Sequence, residues 1–321
     1  MTTFQRTVKK SLSFKGVGVH SGRVVSVHIR PAPVNTGIIF QRIDIANKPY
    51  IKAHPSLVFD TRLATRIGCE SVYVSTIEHL MAALFGFGID NAIIEMDQSE
   101  VPILDGSAVP FLVLLDEAGV VDLQEPRKIL VIKKTVEVVD DKIPTRFMRV
   151  EPAKQPLISY AINFEDTSAI GYQSVSLPYT AKVFCEELSF ARTFCLKEEI
   201  DHMHARGLAQ GGSLENAIVV SKNYGILNTQ GLRHAQEFVK HKILDCIGDL
   251  YLLGMPLLGH VVANRAGHDL HIKLAKAILD QVNSYSVVSL SPKEALRFET
   301  LFTFPKSLAE LQLNFKFLAR G

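Results

Sequence analysis

The spacing of apolar residues changes along the chain. "RVVSVHIRPA" and "TGIIFQRID" alternate apolar with polar positions and are rich in β-branched residues, so residues 4–60 read as short strands joined by turns. "GVGVHSG", from Gly16 to Gly22, is a glycine-rich turn. From Ser75 to Phe87 the spacing becomes helical, and the glycines of "GFG" end that run. "NAIIEMD" reads as a strand. "VPILDGSAVPFLVLLDEAGVV" reads as a turn followed by a helix from about Val109 to Ala118, with Gly119 as its stop.

The polar, proline-containing "EPR" at 125–127 is the candidate domain boundary. Strands then run to about Leu177, with turns at "KIP", "KQP" and "FEDTSAIG". "VFCEELSFARTFCLKEEIDHMHARG" is helical in part, and "NAIVVS" is a strand. A long helix covers "RHAQEFVKHKILDCIGDLYLLG", ended by Gly254 and Pro256. The strand "GHVVANRAG" and the helix "HDLHIKLAKAILDQV" follow. Each half thus reads strands, helix, strand, helix. "EHLMAALFGFGIDNAIIEMD" and "HKILDCIGDLYLLGMPLLGHVVANRAG" look like counterparts in a weak internal duplication. The expected architecture is two similar α+β domains, 1–125 and 126–321, whose facing helices bring His79 near the second long helix.

Composition narrows the class without naming a chemistry. A chain of 321 residues that is 47% hydrophobic and 21% charged suits a globular protein of about two domains. With 35 basic and 33 acidic residues the net charge is +2, which excludes nucleic-acid binding through bulk charge and leaves room for a local phosphate-binding patch. Cys69, Cys185, Cys195 and Cys246 form no CxxC pair, so reduced thiols in a cytoplasmic compartment are expected. "MTTFQRTVKKSLSF" lacks the apolar core of a signal peptide, and no uncharged apolar run is long enough to span a bilayer. Transient contact with a membrane surface is compatible with this composition.

The chemistry concentrates in three segments. "STIEHLMAAL" sets Glu78 beside His79 at the start of an apolar helical run. Its plain interpretation is an amphipathic helix capped by Ser75 or Thr76, with Glu78 in the first turn and Leu80, Met81 and Leu84 facing inward. The alternative is a metal ligand, His79, beside a general base, Glu78. In "VKHKILDCIGDL", His241 and Asp245 stand four apart and so project from one helix face. Asp249 continues that stripe, and Lys242 adjoins it. A solvated His–Asp pair would explain the spacing, but an acid at Asp245 in an apolar run needs a partner. His79, His241 and Asp245 together make an N,N,O set with an open fourth position, the pattern of catalytic zinc. Glu78 would then take the proton from the attacking water. In "NRAGHDLHIKLAK", His268 opens a helix whose N-terminus disfavours its charge, and a carboxylate such as Asp249 restores it as a general acid. His271, three residues on, is the rival acid and is expected to face solvent. Spacing alone supports a metal-dependent hydrolase.

"QRTVKKSLSFKGVGVHSG", "STIEHLMAAL", "VPILDGSAVPF", "ARTF", "GLAQGGSLENAIVV" and "EFVKHKILDCIGDL…RAGHDLH", in this order, resemble the UDP-3-O-acyl-N-acetylglucosamine deacetylases, zinc enzymes of lipid A biosynthesis. The resemblance runs from about residue 4 to residue 285. It implies two α+β domains with helices packed between two sheets, a β-α-α-β sandwich, and an active site at their junction. It makes His79, His241 and Asp245 the ligands of one zinc ion, Glu78 the base and His268 the acid, oriented by Asp249. It gives Thr193 a hydroxyl that helps hold the oxyanion. Lys242 becomes a substrate-binding lysine, Phe194 a wall of the substrate passage, and His20 a residue of a loop near the site. An acyl-chain-binding insertion is implied near 194–220, with Ile200, Ala209, Gly212, Ser213 and Val219 as its candidate walls. Ala209 and Lys197 stand where the family often has cysteine and methionine, which bears on acyl-chain preference. The implied reaction removes the N-acetyl group of a UDP-linked, 3-O-acylated glucosamine, the committed step of lipid A biosynthesis, in a cytoplasmic, monomeric enzyme. Rival readings are a zinc amidase on another acylated sugar and a non-catalytic sugar-nucleotide-binding protein. The tail after about Ser289 carries no readable chemistry.

Overall fold

A computed structural model describes residues 3–290, 298 and 301–311. Among these residues the helices are α1 (Glu78–Phe87), α2 (Val109–Ala118), α3 (Ala181–Val183), α4 (Lys197–Ala205), α5 (Glu237–Leu250) and α6 (His268–Asp280). The tail beyond Ser289 lies partly outside the described residues.

Two five-stranded sheets share one topology. The first orders Leu12–Val17, Val24–Pro31, Ala92–Met96, Ile38–Arg42 and Tyr50–Lys52. The second orders Val136–Val139, Phe147–Glu151, His260–Asn264, Leu157–Phe164 and Gly171–Pro178. In each, two antiparallel pairs flank a central strand that runs antiparallel to one neighbour and parallel to the other. That central strand follows α1 in the first half and α5 in the second, and α2 or α6 comes next. The similarity seen along the sequence is therefore a similarity of chain path.

The strand residues alternate as half-buried sheets require. Val25, Val27 and Ile29 point into the core from Val24–Pro31, and Ile158, Tyr160 and Ile162 do so from Leu157–Phe164. α2 covers the first sheet at Leu12–Val17, while α5 and α6 cover the second. α1 packs on α2 and on α5, so the helices lie between the two sheets.

Every residue of α1 is buried, and in α5 all but Lys242 are. The expected amphipathic, side-chain-capped α1 is thus corrected on two counts. A helix enclosed by neighbours has no solvated face to keep polar. Ser75 ends the strand Val72–Ser75, and Thr76, at φ +58°, points its hydroxyl at Glu100 Oε1 3.2 Å away, so neither caps the helix. The C-terminal stop is as expected, with Gly88 at φ +61°. The α1–α5 crossing is close. A Cβ on Gly248 would lie 1.9 Å from the Glu78 carbonyl oxygen, so only glycine admits this approach.

Two excursions stand beside the helix layer. One is the three-stranded antiparallel sheet of Val58–Asp60, Arg66–Cys69 and Val72–Ser75. The other joins Phe194–Leu196 to Ile218–Ser221 in parallel, with α4 as part of the crossover that parallel pairing demands. A cleft of about 1030 Å³ lies between them, its walls including Asp60, Leu63, Arg66, Met203, Arg206 and Leu208.

Candidate active site

Three helices deliver the polar side chains. α1 presents Glu78 and His79 from its first turn, α5 presents His241, Asp245 and Asp249 from one stripe, and α6 presents His268 and His271 from its first turn. All seven are buried. Burying so many ionisable groups is costly unless each is paired, so their contacts decide what the site is for.

The first group is His79, His241 and Asp245. Asp245 Oδ1 lies 3.4 Å from His79 Nε2, and Asp245 Oδ2 lies 3.3 Å from His241 Nε2. The three donor atoms all fall within 4.8 Å of one another. His241 Nδ1 faces the Ala191 carbonyl at 3.3 Å, which turns Nε2 toward Asp245. Burial holds the His241 imidazole below its ordinary pKa against the pull of Asp245, favouring the neutral ring that a ligand needs. Burial would raise Asp245, but His241 and Lys242 outweigh it and keep the carboxylate well below its usual range. Lys242 Nζ reaches Asp245 Oδ2 at 2.9 Å. Among the described residues none donates a hydrogen bond to Asp245 Oδ1, although it is buried. An ionised carboxylate with one oxygen left bare, set among two imidazole nitrogens, fits a metal cation as its partner, and the N,N,O donor set fits one too.

The second group surrounds Asp249. Its Oδ2 lies 2.7 Å from His268 Nδ1 and 2.8 Å from His271 Nδ1, and its Oδ1 accepts from the Thr65 hydroxyl at 2.5 Å. Burial acts against the His268 imidazolium, but Asp249, Glu78 and Asp245 outweigh it and push its pKa up to about 9. His268 Nε2 stands 4.0 Å from Glu78 Oε1 and 4.0 Å from Asp245 Oδ2, on the flank of the donor set. Burial raises the Glu78 carboxyl, partly offset by His268, and the Thr65 N–H donates to Glu78 Oε2 at 3.1 Å. A carboxyl group that burial pushes up thus lies 4.0 Å from an imidazole that Asp249 pushes up, the kind of pairing that acid–base sites use.

His271 does not face solvent. It is fully buried between Asp249 and the Tyr160 hydroxyl, 2.9 Å from His271 Nε2, and burial lowers its pKa. The expectation failed because the first turn of α6 is covered by α5 and by Leu157–Phe164, neither of which is adjacent in sequence.

Phe194 rings sit edge-on to Phe238 at 5.0 Å and His241 at 6.0 Å, and Lys242 Nζ lies 5.6 Å over the Phe194 ring. Thr193 immediately precedes Phe194, its backbone bound to Gly106 and Ile218 at 2.8 Å each. Lys242 also lines a recess of about 190 Å³ with Arg146, Arg265 and Asn163. His20 accepts from Gln210 N through its carbonyl at 3.1 Å, and Gly211 N bonds Val19 O at 3.0 Å, which ties the His20 loop to the loop after α4. Ala209, at φ +54°, turns the chain into that loop. Gly212 and Ser213 follow Ala209 in this loop, Ile200 is half-buried on α4, and Val219 is buried in Ile218–Ser221. Their neighbours, not these residues, line the large cleft.

Sequence reasoning missed Thr65, Tyr160 and Glu100. Glu100 accepts from the backbone N–H groups of His20 and Ser21 at 2.8 Å each. None carries a spacing signal, since each meets the site from a separate strand or loop.

The family described as UDP-3-O-acyl N-acetylglycosamine deacetylase matches residues 5–280. The chain is 45% identical to the UDP-3-O-acyl-N-acetylglucosamine deacetylase of Citrifermentans bemidjiense, over 90% of this chain and 93% of that protein. It is 46% identical to the deacetylase of the same name from Myxococcus xanthus, over 90% and 91%. With that from Campylobacter hominis it shares 42% over 93% and 99%. A match of this extent, on a chain whose fold brings those donor groups together, places the protein in the UDP-3-O-acyl-N-acetylglucosamine deacetylase family.

Proposed function

We infer that this chain hydrolyses the N-acetyl group of a UDP-linked, 3-O-acylated N-acetylglucosamine in the lipid A pathway. The amide C–N bond breaks, the water oxygen joins the acetyl carbon, and acetate and a free 2-amine leave. The observation that carries this reading is the Asp245 carboxylate, whose bare Oδ1 faces His79 while its Oδ2 faces His241, with His268 4.0 Å from both Oδ2 and Glu78.

The metal is assigned as zinc, held by His79, His241 and Asp245. Bound there it supplies the Lewis acidity that makes water nucleophilic near neutral pH and polarises the amide carbonyl. Glu78 accepts the proton of the attacking water. His268, charged at neutral pH, donates a proton to the departing nitrogen, and Asp249 holds its imidazolium. The Thr193 hydroxyl donates to the oxygen on which negative charge develops. Lys242, with Arg146 and Arg265 in one recess, offers positive charge to the sugar nucleotide. The excursion of residues 194–220 takes the acyl chain, with Ile200, Ala209, Gly212, Ser213 and Val219 along its path and Phe194 and His20 at its entrance.

The domains are taken to divide at 125/126, one residue before the strand Val120–Pro126 ends. The strand ending at Pro126 pairs with Phe4–Val8, whereas the one starting at Lys128 pairs with Leu257–Leu258 and Tyr285–Ser289. No helix among the described residues is long and apolar enough to cross a membrane. A cytoplasmic monomer that meets its lipid-bearing substrate at a membrane surface suits this reading.

The test is metal analysis of the purified protein, with release of free amine followed on the acylated sugar nucleotide and on plain N-acetyl sugars. One zinc per chain and activity confined to the acylated substrate are expected. Equal rates on both substrates would favour an amidase of broader substrate class, and no hydrolysis with metal bound would leave a binding protein.

A further inference from the structure

Thr65 lies in "RLATRIG", between the strands Val58–Asp60 and Arg66–Cys69, and is wholly buried. Two of its polar groups are spent on the active site and the third on the turn that leads into it. Its hydroxyl donates to Asp249 Oδ1 at 2.5 Å. Its N–H donates to Glu78 Oε2 at 3.1 Å. Its carbonyl accepts from Thr76 N at 3.1 Å, in the left-handed turn from which α1 starts. The same hydroxyl oxygen is 3.4 Å from His268 Nδ1. The proton acceptor sits on α1, and the carboxylate that orients the proton donor sits on α5. Thr65 belongs to neither helix and contacts both groups.

We propose that Thr65 is a positioning residue that fixes the Glu78 and Asp249 carboxylates relative to each other, and through Asp249 the ring of His268. The proposal rests on the deacetylase reading above. Asp249 Oδ2 already holds two imidazole nitrogens, His268 Nδ1 and His271 Nδ1. Both of those contacts fall on one oxygen and hold one side of the carboxylate. The Thr65 hydroxyl on Oδ1 holds the other side and so fixes the carboxylate plane from a third direction. Proton transfer depends steeply on such alignment, so a small rotation of Asp249 moves His268 off the leaving nitrogen. Thr65 touches neither the metal-ligand set nor the acyl excursion among its hydrogen bonds, so metal content and substrate binding should not depend on it.

Thr65→Val keeps the side-chain shape and the backbone N–H, and removes only the hydroxyl. Thr65→Ser keeps the hydroxyl and drops the methyl. For Thr65→Val, kcat on the acylated sugar nucleotide is expected to fall about 10- to 100-fold, the scale of a misplaced catalytic group, with KM and bound metal as in the parent. Thr65→Ser is expected to recover kcat to within about threefold of the parent. A loss of kcat in Thr65→Ser equal to that in Thr65→Val would show that the methyl packing matters and overturn the proposal. So would a parental kcat in Thr65→Val, or a change confined to KM. If Thr65→Val fails to fold, the comparison of Thr65→Ser with Thr65→Ala, each at matched melting temperature, decides the same question. An inactive parent protein would instead overturn the deacetylase reading, and the parent is assayed first for that reason.

Discussion

At the residue scale, the proposed function divides the site into groups that would hold a cation and groups that would move protons, and single substitutions test that division. Asp245→Ala deletes the charged donor, so metal affinity should fall sharply and activity with it. Parental metal content in that variant would refute its role. Glu78→Gln preserves size and removes the base, so metal should stay bound while kcat falls by about 10²–10⁴-fold. Metal analysis and steady-state kinetics on both variants give the contrast. The acid arm yields a pH prediction whose sign is fixed by its neighbours. His268 must be protonated to donate, so kcat/KM should fall as pH rises through its pKa. Burial alone would lower that pKa, and Asp249 is the largest of the groups that push it up to about 9. Asp249→Asn removes that carboxylate, so the basic limb of the profile should move to lower pH. A bound cation acts downward in both enzymes, so the comparison is between variant and parent. An unmoved basic limb would mean that another group supplies the proton.

At the scale of elements, the α1–α5 crossing is what makes one site from two halves. Gly248 faces the Glu78 carbonyl oxygen at 1.9 Å from where a Cβ would stand, and the Glu78 carbonyl carbon at 2.7 Å. Gly248→Ala must therefore part the helices and shift the turn that carries Glu78 and His79. A loss of about 1–3 kcal/mol is expected, as for other overpacked cores, together with a drop in kcat. Calorimetry and kinetics on the one variant check both, and a parental melting temperature would show that the crossing relaxes freely. Elements bounded by strong local signals were legible in the sequence. α2 begins at Val109 and stops at Gly119 because glycine's left-handed backbone, φ +68°, ends a helix locally. The start of α1 was not legible, since Ser75 and Thr76 carry capping side chains but are committed to a strand end and to Glu100. The meeting of His79 with His241 and Asp245 was readable from helical spacing and the likeness of the two halves. The burial of His271 was not, because Tyr160 and Asp249 reach it from other elements. Thr65 was invisible for the same reason: nothing in "RLATRIG" announces that its three polar groups point at two helices.

At the scale of the whole molecule, two sheets of one topology enclose the helices, and a buried cationic knot secures the end of α1 opposite to Glu78 and His79. Arg127 is fully buried and binds Asp90 at 2.7 Å and the Gly88 carbonyl at 2.6 Å. Arg6, also fully buried, reaches the Phe87 carbonyl at 3.1 Å and the Pro305 carbonyl at 2.9 Å. Phe304 lies against the Arg127 guanidinium at 4.3 Å and closes over Gly88. This knot joins the strand ends near 126, the C-cap of α1 and the segment 301–311. α1 has ten residues, so about 15 Å of helix separates it from Glu78. The knot should then govern stability without entering the chemistry. Arg127→Met removes the guanidinium and leaves the mostly buried Asp90 carboxylate with the Arg6 N–H but without its main partner. A loss of about 3–5 kcal/mol is expected, the usual cost of breaking a buried ion pair from one side. The folded fraction at low temperature should keep the parental kcat and metal content. Denaturant unfolding and kinetics on the same preparation test the pair of claims. A large fall in kcat at full folding would mean that the two ends of α1 are mechanically coupled, and that the site depends on the whole assembly of halves as well as on the crossing at Gly248.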